Sequence, residues 1–385
     1  MLTYFEIKNF RSFEDVFVDW CGENNSAPPS NVSVIFGNNA SGKTTLIRAV
    51  EFLRDLFGSY QGGSAPSNLL FAHCDNKNRD IELTCEIVLD GDTYCYKNIL
   101  QVDDDILEST YEQLEFTPFR ARTSRELFLY EGENLGKLRL SSYLLRARAD
   151  DERDAHRIRD FLNYIENIDT ISKQIEQYIP DVAKALMRDT ELKKQLEGML
   201  GNFDLHVDTI TEKRNDFLDG QVHVEFHHHD LENTLAMEHE SHGTKGLYVL
   251  LFYILTAMRD RSLLLIDEIE SAIHPDIVEL LIRMIQKKGI SKGKRYPQFI
   301  FTSHQVELMK SLGNKRSIFL AEKNRRGASS IQCAADFEGI GGVRDAYTNY
   351  KRGRLGAVPD LSEDLENIVK ELRSSLNDEA EYAAT

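Results

Sequence analysis

Cysteine is scarce and irregularly placed in this chain. The 385 residues contain five cysteines, an odd number, and no two of them form a Cys-x-x-Cys pair. Disulfide frameworks and structural zinc sites use paired, regularly spaced cysteines, so neither is expected here. The pattern is typical of the reducing cytoplasm, which is the compartment we expect.

Long hydrophobic runs are also lacking. The longest, Leu247 to Ala257, is too short to cross a bilayer, which takes about 20 apolar residues in a helix. The start, Met1 to Glu6, has none of the features of a secretory signal peptide. We therefore expect a buried helix at Leu247 and no membrane partner.

Positive charge is in deficit, because the formal net charge is −17. Such a chain does not bind nucleic-acid phosphates through its overall charge, although a local basic surface still can. Basic residues cluster in three places, and each cluster predicts either a solvated face or such a surface. The clusters are Lys287, Lys288, Lys292, Lys294 and Arg295; Lys323, Arg325 and Arg326; and Lys351, Arg352 and Arg354.

What the sequence does contain is a phosphate-binding motif, Gly-x-x-x-x-Gly-Lys-Thr. It follows the apolar run Val32–Phe36, which predicts a buried strand, and precedes a helical pattern from Thr45 to Leu53. The backbone N–H groups of such a loop, with the helix dipole, form an anion site. We expect Lys43 to reach the β- and γ-phosphates of a nucleotide and Thr44 to bind Mg²⁺. The predicted nucleotide-binding residues are Gly37, Asn38, Asn39, Ala40, Ser41, Gly42, Lys43, Thr44 and Thr45.

Two carboxylates end a second apolar run. Leu263–Ile266 predicts a central buried strand, and Asp267 and Glu268 follow it directly. Asp267 suits a Mg²⁺ shell, and Glu268, on the opposite face, suits orientation or deprotonation of an attacking water. A third buried strand, Gln298–Phe301, ends close to His304. At a strand end this histidine is placed to reach a γ-phosphate.

Ser241 and Gly243 predict a second anion site, because they lie at the N-terminus of the apolar helix at Leu247. Within one chain this site has no phosphate to bind, since the first loop already holds the nucleotide. It gains a use if two copies stack head to tail and each offers Ser241 and Gly243 to its partner's γ-phosphate. ATP would then hold a homodimeric unit together.

The order of these motifs resembles a known group, the ABC-type ATPase heads of the SMC, RecF and OLD proteins. The resemblance implies ATP and Mg²⁺ as cofactors, a signature that acts in trans, and a loop at Ser271–His274 that crosses the dimer interface. It implies Glu268 as the catalytic base and His304 as a sensor of the γ-phosphate. The catalytic residues implied are Lys43, Glu268 and His304, and the metal ligands are Thr44 and Asp267.

Within that group the chain resembles the AAA15-type ATPases of bacterial phage-defence loci, as in RloA, AbiL and PARIS-type operons. The resemblance implies an ATP-driven sensor that controls a separate toxic effector such as a nuclease. Few residues follow Pro359, too few for the TOPRIM nuclease that OLD-type proteins carry there, so we expect any nuclease to be another protein. The segments that carry the resemblance are Phe5–Phe13, Gly37–Lys43, Glu240–Lys245, Asp267–Pro275 and Gly353–Pro359.

Some features depart from the wider group. The signature reads Glu-Ser-His-Gly-Thr rather than Leu-Ser-Gly-Gly-Gln, no glutamine loop can be located, and no long coiled coil is present. These departures disfavour a transporter ATPase and an SMC-like bridge between distant DNA segments. Two other functions stay open: a RecF-like repair ATPase that binds DNA, and a non-catalytic scaffold assembled by ATP. The DNA-binding candidates are Arg11, Lys323, Arg325 and Arg326.

The predicted fold class is α/β, an ABC-type P-loop NTPase head. Residues 1–149 are expected to form an N-terminal lobe with the phosphate loop and a β-rich, antiparallel part. Residues 150–214 show helical spacing and predict an insertion of two or three helices. Residues 215–385 are expected to form the C-terminal lobe. Within it, alternation from Gln221 to His229 predicts a strand with histidines on one face, and no metal site is expected there.

Overall fold

The computed structural model describes residues 1–21, 30–58, 80–103, 106–131, 152–205, 207–214, 222–229, 232–271, 273–286 and 295–356. Several sequence predictions lie outside these residues. They are the loop at 59–68, most of the loop at 22–31, four residues of the first basic cluster (Lys287, Lys288, Lys292 and Lys294), and residues 357–359 of the last defence-type motif.

Six strands form an antiparallel sheet in the order β2-β1-β4-β5-β6-β7. Its strands are β1 (Leu2–Phe10), β2 (Phe13–Asp19), β4 (Ile81–Leu89), β5 (Asp92–Asp103), β6 (Ile106–Thr117) and β7 (Arg125–Glu131). The alternation of buried and half-buried residues along β4 is typical of a sheet with one face against the core. The β-rich lobe predicted from the sequence is therefore present and antiparallel.

The central sheet has six strands in the order β15-β14-β3-β13-β12-β8. Its strands are β3 (Val32–Phe36), β8 (Ile168–Ile171), β12 (Leu263–Ile266), β13 (Gln298–Ser303), β14 (Ile318–Lys323) and β15 (Ser329–Cys333). All neighbours pair in parallel except β15, which is antiparallel to β14. The carboxyl ends of the parallel strands therefore meet at one edge, where α/β sheets bind ligands.

A third, smaller sheet has the order β11-β10-β9 and is antiparallel. Its strands are β9 (Val207–Arg214), β10 (Val222–His228) and β11 (Leu235–Ala236). Strand β10 is the histidine-containing strand that the alternation predicted. Val224 and Phe226 on it are buried, and His223, His227 and His228 are half-buried.

The helices begin close to where the sequence patterns predict them. They are α1 (Lys43–Gly58), α2 (Glu152–Glu166), α3 (Ile179–Leu186), α4 (Thr190–Leu200), α5 (His242–Asp260), α6 (Pro275–Ile285) and α7 (Val343–Lys351). Pro275 occupies the first turn of α6, where its missing N–H costs no hydrogen bond. Among the described residues, no helix is long and apolar enough to cross a membrane.

The segment 150–214 is not purely helical. It contains α2, α3 and α4, as predicted, but it also supplies β8 to the central sheet and β9 to the small sheet. The four residues of β8 are too few to show a period of two. The helical pattern on both sides therefore predicts helix for the whole segment. The division of the chain into three units remains a prediction, and β8 ties its middle unit to the head.

The central sheet separates two hydrophobic clusters. Val34 and Leu264 face one cluster, which contains the buried face of α5. Ile35 and Leu265 face the other, which contains α1, α2 and the buried face of the antiparallel sheet. Because neighbouring residues of a strand point to opposite faces, these buried strands contribute apolar side chains to both clusters at once. The site edge is thus held by a sheet that is covered on both faces.

Candidate functional site

The phosphate loop connects β3 to α1, and Lys43 is the first residue of the helix. The Lys43 side chain is only 4% exposed. Its ammonium donates hydrogen bonds to the carbonyl oxygens of Gly37 and Asn38, each at 2.8 Å, and lies 3.4 Å from Nδ1 of His304. The lysine is therefore held inside the loop, where a polyphosphate would meet it.

Both motif glycines are required by close packing. A Cβ on Gly37 would lie 2.3 Å from the carbonyl oxygen of Ala321 on β14. A Cβ on Gly42, whose φ is +109°, would lie 2.7 Å from the side chain of Ser329 on β15. Larger residues would push the loop off the sheet. The spacing of the motif is thus set by how closely this loop approaches β14 and β15.

Ser41 adds a polar atom with no protein partner. The residue is buried, and within the described part of the chain its hydroxyl oxygen has no hydrogen-bond partner. Buried hydroxyls are normally hydrogen-bonded, so an orphaned one in a glycine loop fits a phosphate oxygen. Thr45 behaves differently, because its hydroxyl lies 3.3 Å from Oγ of Ser12. Its role in nucleotide binding stays a prediction.

The environment of Lys43 lowers the pKa of its ammonium. Desolvation by burial is the main cause and brings the pKa to about 8, while the charges of Glu268, Asp267 and Glu270 oppose it. An anion bound in the loop would favour the charged form and reverse this effect. Lys43 therefore suits a phosphate ligand electrostatically as well as by position.

Thr44 and Asp267 are brought together, as the sequence predicted for a metal site. The Thr44 hydroxyl lies 3.0 Å and 3.2 Å from the two carboxylate oxygens of Asp267. The Thr302 hydroxyl at the end of β13 donates to Asp267 Oδ1 at 2.7 Å. One carboxylate and one hydroxyl, completed by water and phosphate oxygens, form a donor set that fits Mg²⁺.

Glu268 adopts a left-handed backbone conformation, with φ of +53°. Its N–H donates to the Thr302 hydroxyl at 2.7 Å, and its carboxylate Oε1 lies 3.2 Å from Nε2 of His304. The same oxygen forms an ion pair with the ammonium of Lys173. Burial alone would raise the pKa of Glu268, but the hydrogen bonds from Lys173 and His304 outweigh it and the pKa is lowered.

His304 connects the two halves of the site. One ring nitrogen faces Lys43 and the other faces Glu268. Its backbone N–H donates to Oε1 of Glu270 at 2.5 Å, which ties the end of β13 to the segment after β12. Lys43, His304, Glu268 and Lys173 therefore form one continuous chain of polar contacts along the edge of the sheet.

The structure also places residues at this edge that the sequence reading missed. Lys173 follows β8, and its place at the site depends on where that short strand lies. No pattern in the sequence predicts this strand. Thr302 and Glu270 stand inside recognised segments, but their contacts depend on the pairing of β12 with β13. A pocket of about 560 Å³ adjoins the phosphate loop. It is lined by Gly37, Asn38, Asn39, His304, Val306, Tyr350 and Lys351.

The predicted signature lies at a helix N-terminus, as expected, but apart from the phosphate loop. Ser241 is the N-cap of α5, and its hydroxyl accepts a hydrogen bond from the N–H of Thr244 at 3.1 Å. Ser241 and Gly243 are exposed. Within the described residues, no hydrogen bond joins Ser241 to the phosphate loop of its own chain. The first residues of this helix are exposed and so can be reached by a second molecule.

The histidines of β10 face carboxylates rather than one another. The shortest of these contacts joins Nε2 of His228 to Oε1 of Glu240 at 2.7 Å. Among the residues that the structure describes, no group of three or more His, Cys, Asp or Glu side chains is arranged to hold a metal ion. The Thr44–Asp267 pair is compatible with this, because Mg²⁺ takes few protein ligands and retains water.

Comparison with known families now decides the affiliation of the chain. A family model described as "AAA domain, putative AbiEii toxin, Type IV TA system" matches residues 32–310. The chain belongs to this AAA-domain family. The matched span runs from β3 to just beyond His304, and it contains the phosphate loop and the Asp267–Glu268 pair. Among curated proteins, none matches the chain in sequence.

Solved structures show the same fold. An Smc head bound to the C-winged helix domain of ScpA superposes with a TM-score of 0.54 at 16% identity, over 86% of this chain and 96% of that one. Smc heads from Pyrococcus furiosus (TM-score 0.46, 16% identity, 92% and 99% covered) and Pyrococcus yayanosii (0.48, 12%, 91% and 99%) are less similar in shape. The first match confirms the predicted fold class, an α/β head of the ABC type.

Proposed function

We propose that this protein binds ATP with Mg²⁺ and hydrolyses it to ADP and phosphate, with Glu268 as the general base. One observation carries the proposal: the phosphate-loop lysine, a histidine and a carboxylate stand in one chain of contacts, Lys43–His304–Glu268, beside the Thr44–Asp267 pair. A structural ion-pair network would not also need a glycine loop with an orphaned hydroxyl at its centre.

The binding step assigns the phosphates to the loop between β3 and α1. The N–H groups at the start of α1, the Ser41 hydroxyl and the Lys43 ammonium supply donors and positive charge. Thr44 and Asp267 would hold Mg²⁺, which neutralises charge on the phosphate oxygens when it is bound. Both groups are oriented before binding, because Asp267 already accepts a hydrogen bond from Thr302.

In the hydrolytic step a water molecule attacks the γ-phosphorus and gives a proton to Glu268, while the bond to the β–γ bridging oxygen breaks. His304 fixes the orientation of the Glu268 carboxylate, and Lys43 stabilises the charge that develops on the phosphate oxygens. A positioned general base of this kind contributes roughly 10²–10⁴-fold in rate. The lowered pKa of Glu268 means that its carboxylate is ionised before the attack, as a general base must be.

The proposal includes an ATP-sandwiched homodimer in which the signature acts in trans. Its support is the exposed N-terminus of α5, which is capped by Ser241 and makes no hydrogen bond to its own phosphate loop within the described residues. A helix N-terminus that faces a γ-phosphate contributes N–H donors and a favourable dipole. Two heads related by a two-fold axis would each complete the other's site.

Mixing two inactive variants tests this arrangement. Lys43→Ala removes the phosphate loop's lysine, and Ser241→Arg blocks the signature, so each homodimer has two defective sites. A mixed dimer keeps one intact composite site, formed by the loop of the Ser241→Arg chain and the signature of the Lys43→Ala chain. We expect hydrolysis to return on mixing. If the mixture stays as inactive as its components, the trans arrangement is wrong.

We further propose that the hydrolysis cycle acts as a switch in phage defence, in an ATPase of the AAA15 type that controls a separate effector in the bacterial cytoplasm. The support is the set of sequence motifs and the AbiEii-toxin description of the family. A pull-down of tagged Glu268→Gln from its native locus, with ATP–Mg²⁺ and nuclease-treated lysate, tests it. A stoichiometric small nuclease or toxin would support the switch, and recovery of the ATPase alone would oppose it.

One observation favours a second function, a RecF-like ATPase that binds DNA. Lys323, at the end of β14, and Arg325 and Arg326, on the turn to β15, are exposed. That turn lies beside Arg11, because the N–H of Ser329 donates to the carbonyl oxygen of Ser12 at 2.8 Å. The basic turn and the segment that contains Arg11 therefore lie near each other, beside Gly42 of the phosphate loop. DNA-stimulated hydrolysis that falls when Arg325 and Arg326 become Ser, with unstimulated hydrolysis unchanged, would favour this function.

A further inference from the structure

We propose that Lys173 is a positioning residue for hydrolysis, which holds one oxygen of the Glu268 carboxylate so that the other oxygen faces the attacking water. This inference rests on the proposed function, because it assumes that Glu268 is the base. Lys173 belongs to none of the sequence motifs. It lies on the turn after β8, so this turn also becomes part of the site.

The contact geometry at Glu268 is asymmetric. Nζ of Lys173 and Nε2 of His304 both contact the same atom, Oε1. Two contacts on one oxygen fix the plane of the carboxylate and direct Oε2 away from Lys173 and His304. A base must present a lone pair along the line of the proton that it accepts, so the orientation of this plane determines its efficiency.

Strand pairing puts Lys173 at this place. Strand β8 runs parallel to β12, with Ile171 opposite Ile266. The N–H of Asp267 donates to the carbonyl oxygen of Ile171 at 2.9 Å, which extends the pairing by one residue beyond the end of β12. The residues that follow Ile171 therefore leave the sheet beside the residues that follow Ile266, and Lys173 arrives level with Glu268.

The backbone around Lys173 is held by a small polar network. The N–H of Ser172 donates to the Tyr178 hydroxyl at 2.9 Å, and Nε2 of Gln177 donates to Oγ of Ser172 at 2.8 Å. Ile175, between them, is buried in the core. The lysine side chain is 54% exposed, but its Cα is anchored on both sides, so reaching Glu268 requires little ordering of the backbone.

Ion pairs at a protein surface usually contribute little, and this pair differs in two respects. The Glu268 side chain is only 20% exposed, which weakens the screening by water. Asp267, Glu268 and Glu270 concentrate three carboxylates within four residues, and their charges act on both Lys43 and Lys173. Lys173 thus adds a second positive charge beside this acidic cluster.

Steady-state kinetics of two substitutions test the role. Lys173→Met keeps the length of the side chain without its charge, and we expect kcat to fall by about 10- to 100-fold, while KM for ATP stays within about twofold. Lys173→Arg should restore part of the rate. Lys184→Met is the matched control, because Lys184 pairs only with exposed Asp181 in the described residues and should leave kcat unchanged. An unchanged kcat in Lys173→Met overturns the inference, as does a lowered melting temperature with a raised KM.

The Glu268→Gln background separates indirect from direct action. If Lys173 acts through Glu268, adding Lys173→Met should not slow single-turnover hydrolysis further. A further slowing would show that Lys173 acts on the phosphate itself, which also overturns the inference. Failure of the proposed function looks different: Glu268→Gln alone would then hydrolyse ATP at the wild-type rate, whatever Lys173 does.

Discussion

The pKa values of two largely buried glutamates in this molecule are shifted in opposite directions. Glu112, on β6 of the antiparallel sheet, is 4% exposed and accepts a hydrogen bond from the Tyr96 hydroxyl at 2.7 Å. Burial raises its pKa to about 7, although the hydrogen bond from Tyr96 opposes the shift. Glu268, at the end of β12, has its pKa lowered, because hydrogen bonds from Lys173 and His304 outweigh the effect of burial.

The difference follows from topology. In the antiparallel sheet, Glu112 accepts its hydrogen bond from a tyrosine of the neighbouring strand, and Asn98 of that strand supports the tyrosine. At the carboxyl edge of the parallel sheet, segments from distant parts of the chain converge, and Glu268 contacts a lysine from one of them and a histidine from another. The carboxyl ends of parallel strands bring functional side chains together, whereas a polar cluster whose hydrogen bonds are all made inside a sheet stabilises the fold.

The largest expected effect comes from removing the cation of the phosphate loop. Lys43→Ala should weaken ATP binding by about 100-fold or more, because it removes the only ammonium of the phosphate loop. Two carbonyl oxygens of the loop accept hydrogen bonds from this ammonium. Titration calorimetry or a fluorescent nucleotide measures the loss. Lys97→Ala in the antiparallel sheet is the control, and equal weakening in both variants would contradict the assignment of Lys43.

A smaller effect is expected from Thr302→Val. The Thr302 hydroxyl donates to Asp267 and accepts from the N–H of Glu268, so valine leaves two polar groups of the site without this partner. We expect kcat to fall by roughly tenfold and the free energy of unfolding to fall by about 1–3 kcal/mol. Thr302→Ser should retain most of both. A wild-type kcat in the valine variant would show that the acid pair needs no support from β13.

The smallest effect tests the other side of the comparison. The folded-state pKa of Glu112, about 7, lies above the reference value of 4.5. Its carboxyl group therefore favours folding most below the reference pKa, and this contribution is lost as the pH rises through about 7. Glu112→Gln removes this dependence. Urea unfolding should show the free energy of unfolding of the variant rising relative to that of the wild type between pH 5 and pH 8. The rise should be about that expected from the titration of a single carboxyl group. A constant difference would contradict the raised pKa.

The sequence predicted those parts of the site that are contiguous in the chain. The phosphate loop, the Asp267–Glu268 pair and the position of Ser241 at the start of α5 each combine a local pattern with a local structure. Lys173 could not be found in this way, because its role depends on β8, a four-residue strand inside a helical region. The left-handed conformation of Glu268 and the order of the antiparallel strands likewise depend on contacts between distant residues.

The measurement that tests the account most directly is the rate of phosphate release by wild type and by Glu268→Gln at saturating ATP–Mg²⁺, after both are shown to bind ATP equally. The account predicts turnover by the wild type, a loss of about 10²–10⁴-fold in Glu268→Gln, and no loss in Glu112→Gln. Hydrolysis by Glu268→Gln at the wild-type rate would contradict it, and would leave the edge of the parallel sheet as a nucleotide-binding scaffold without a base.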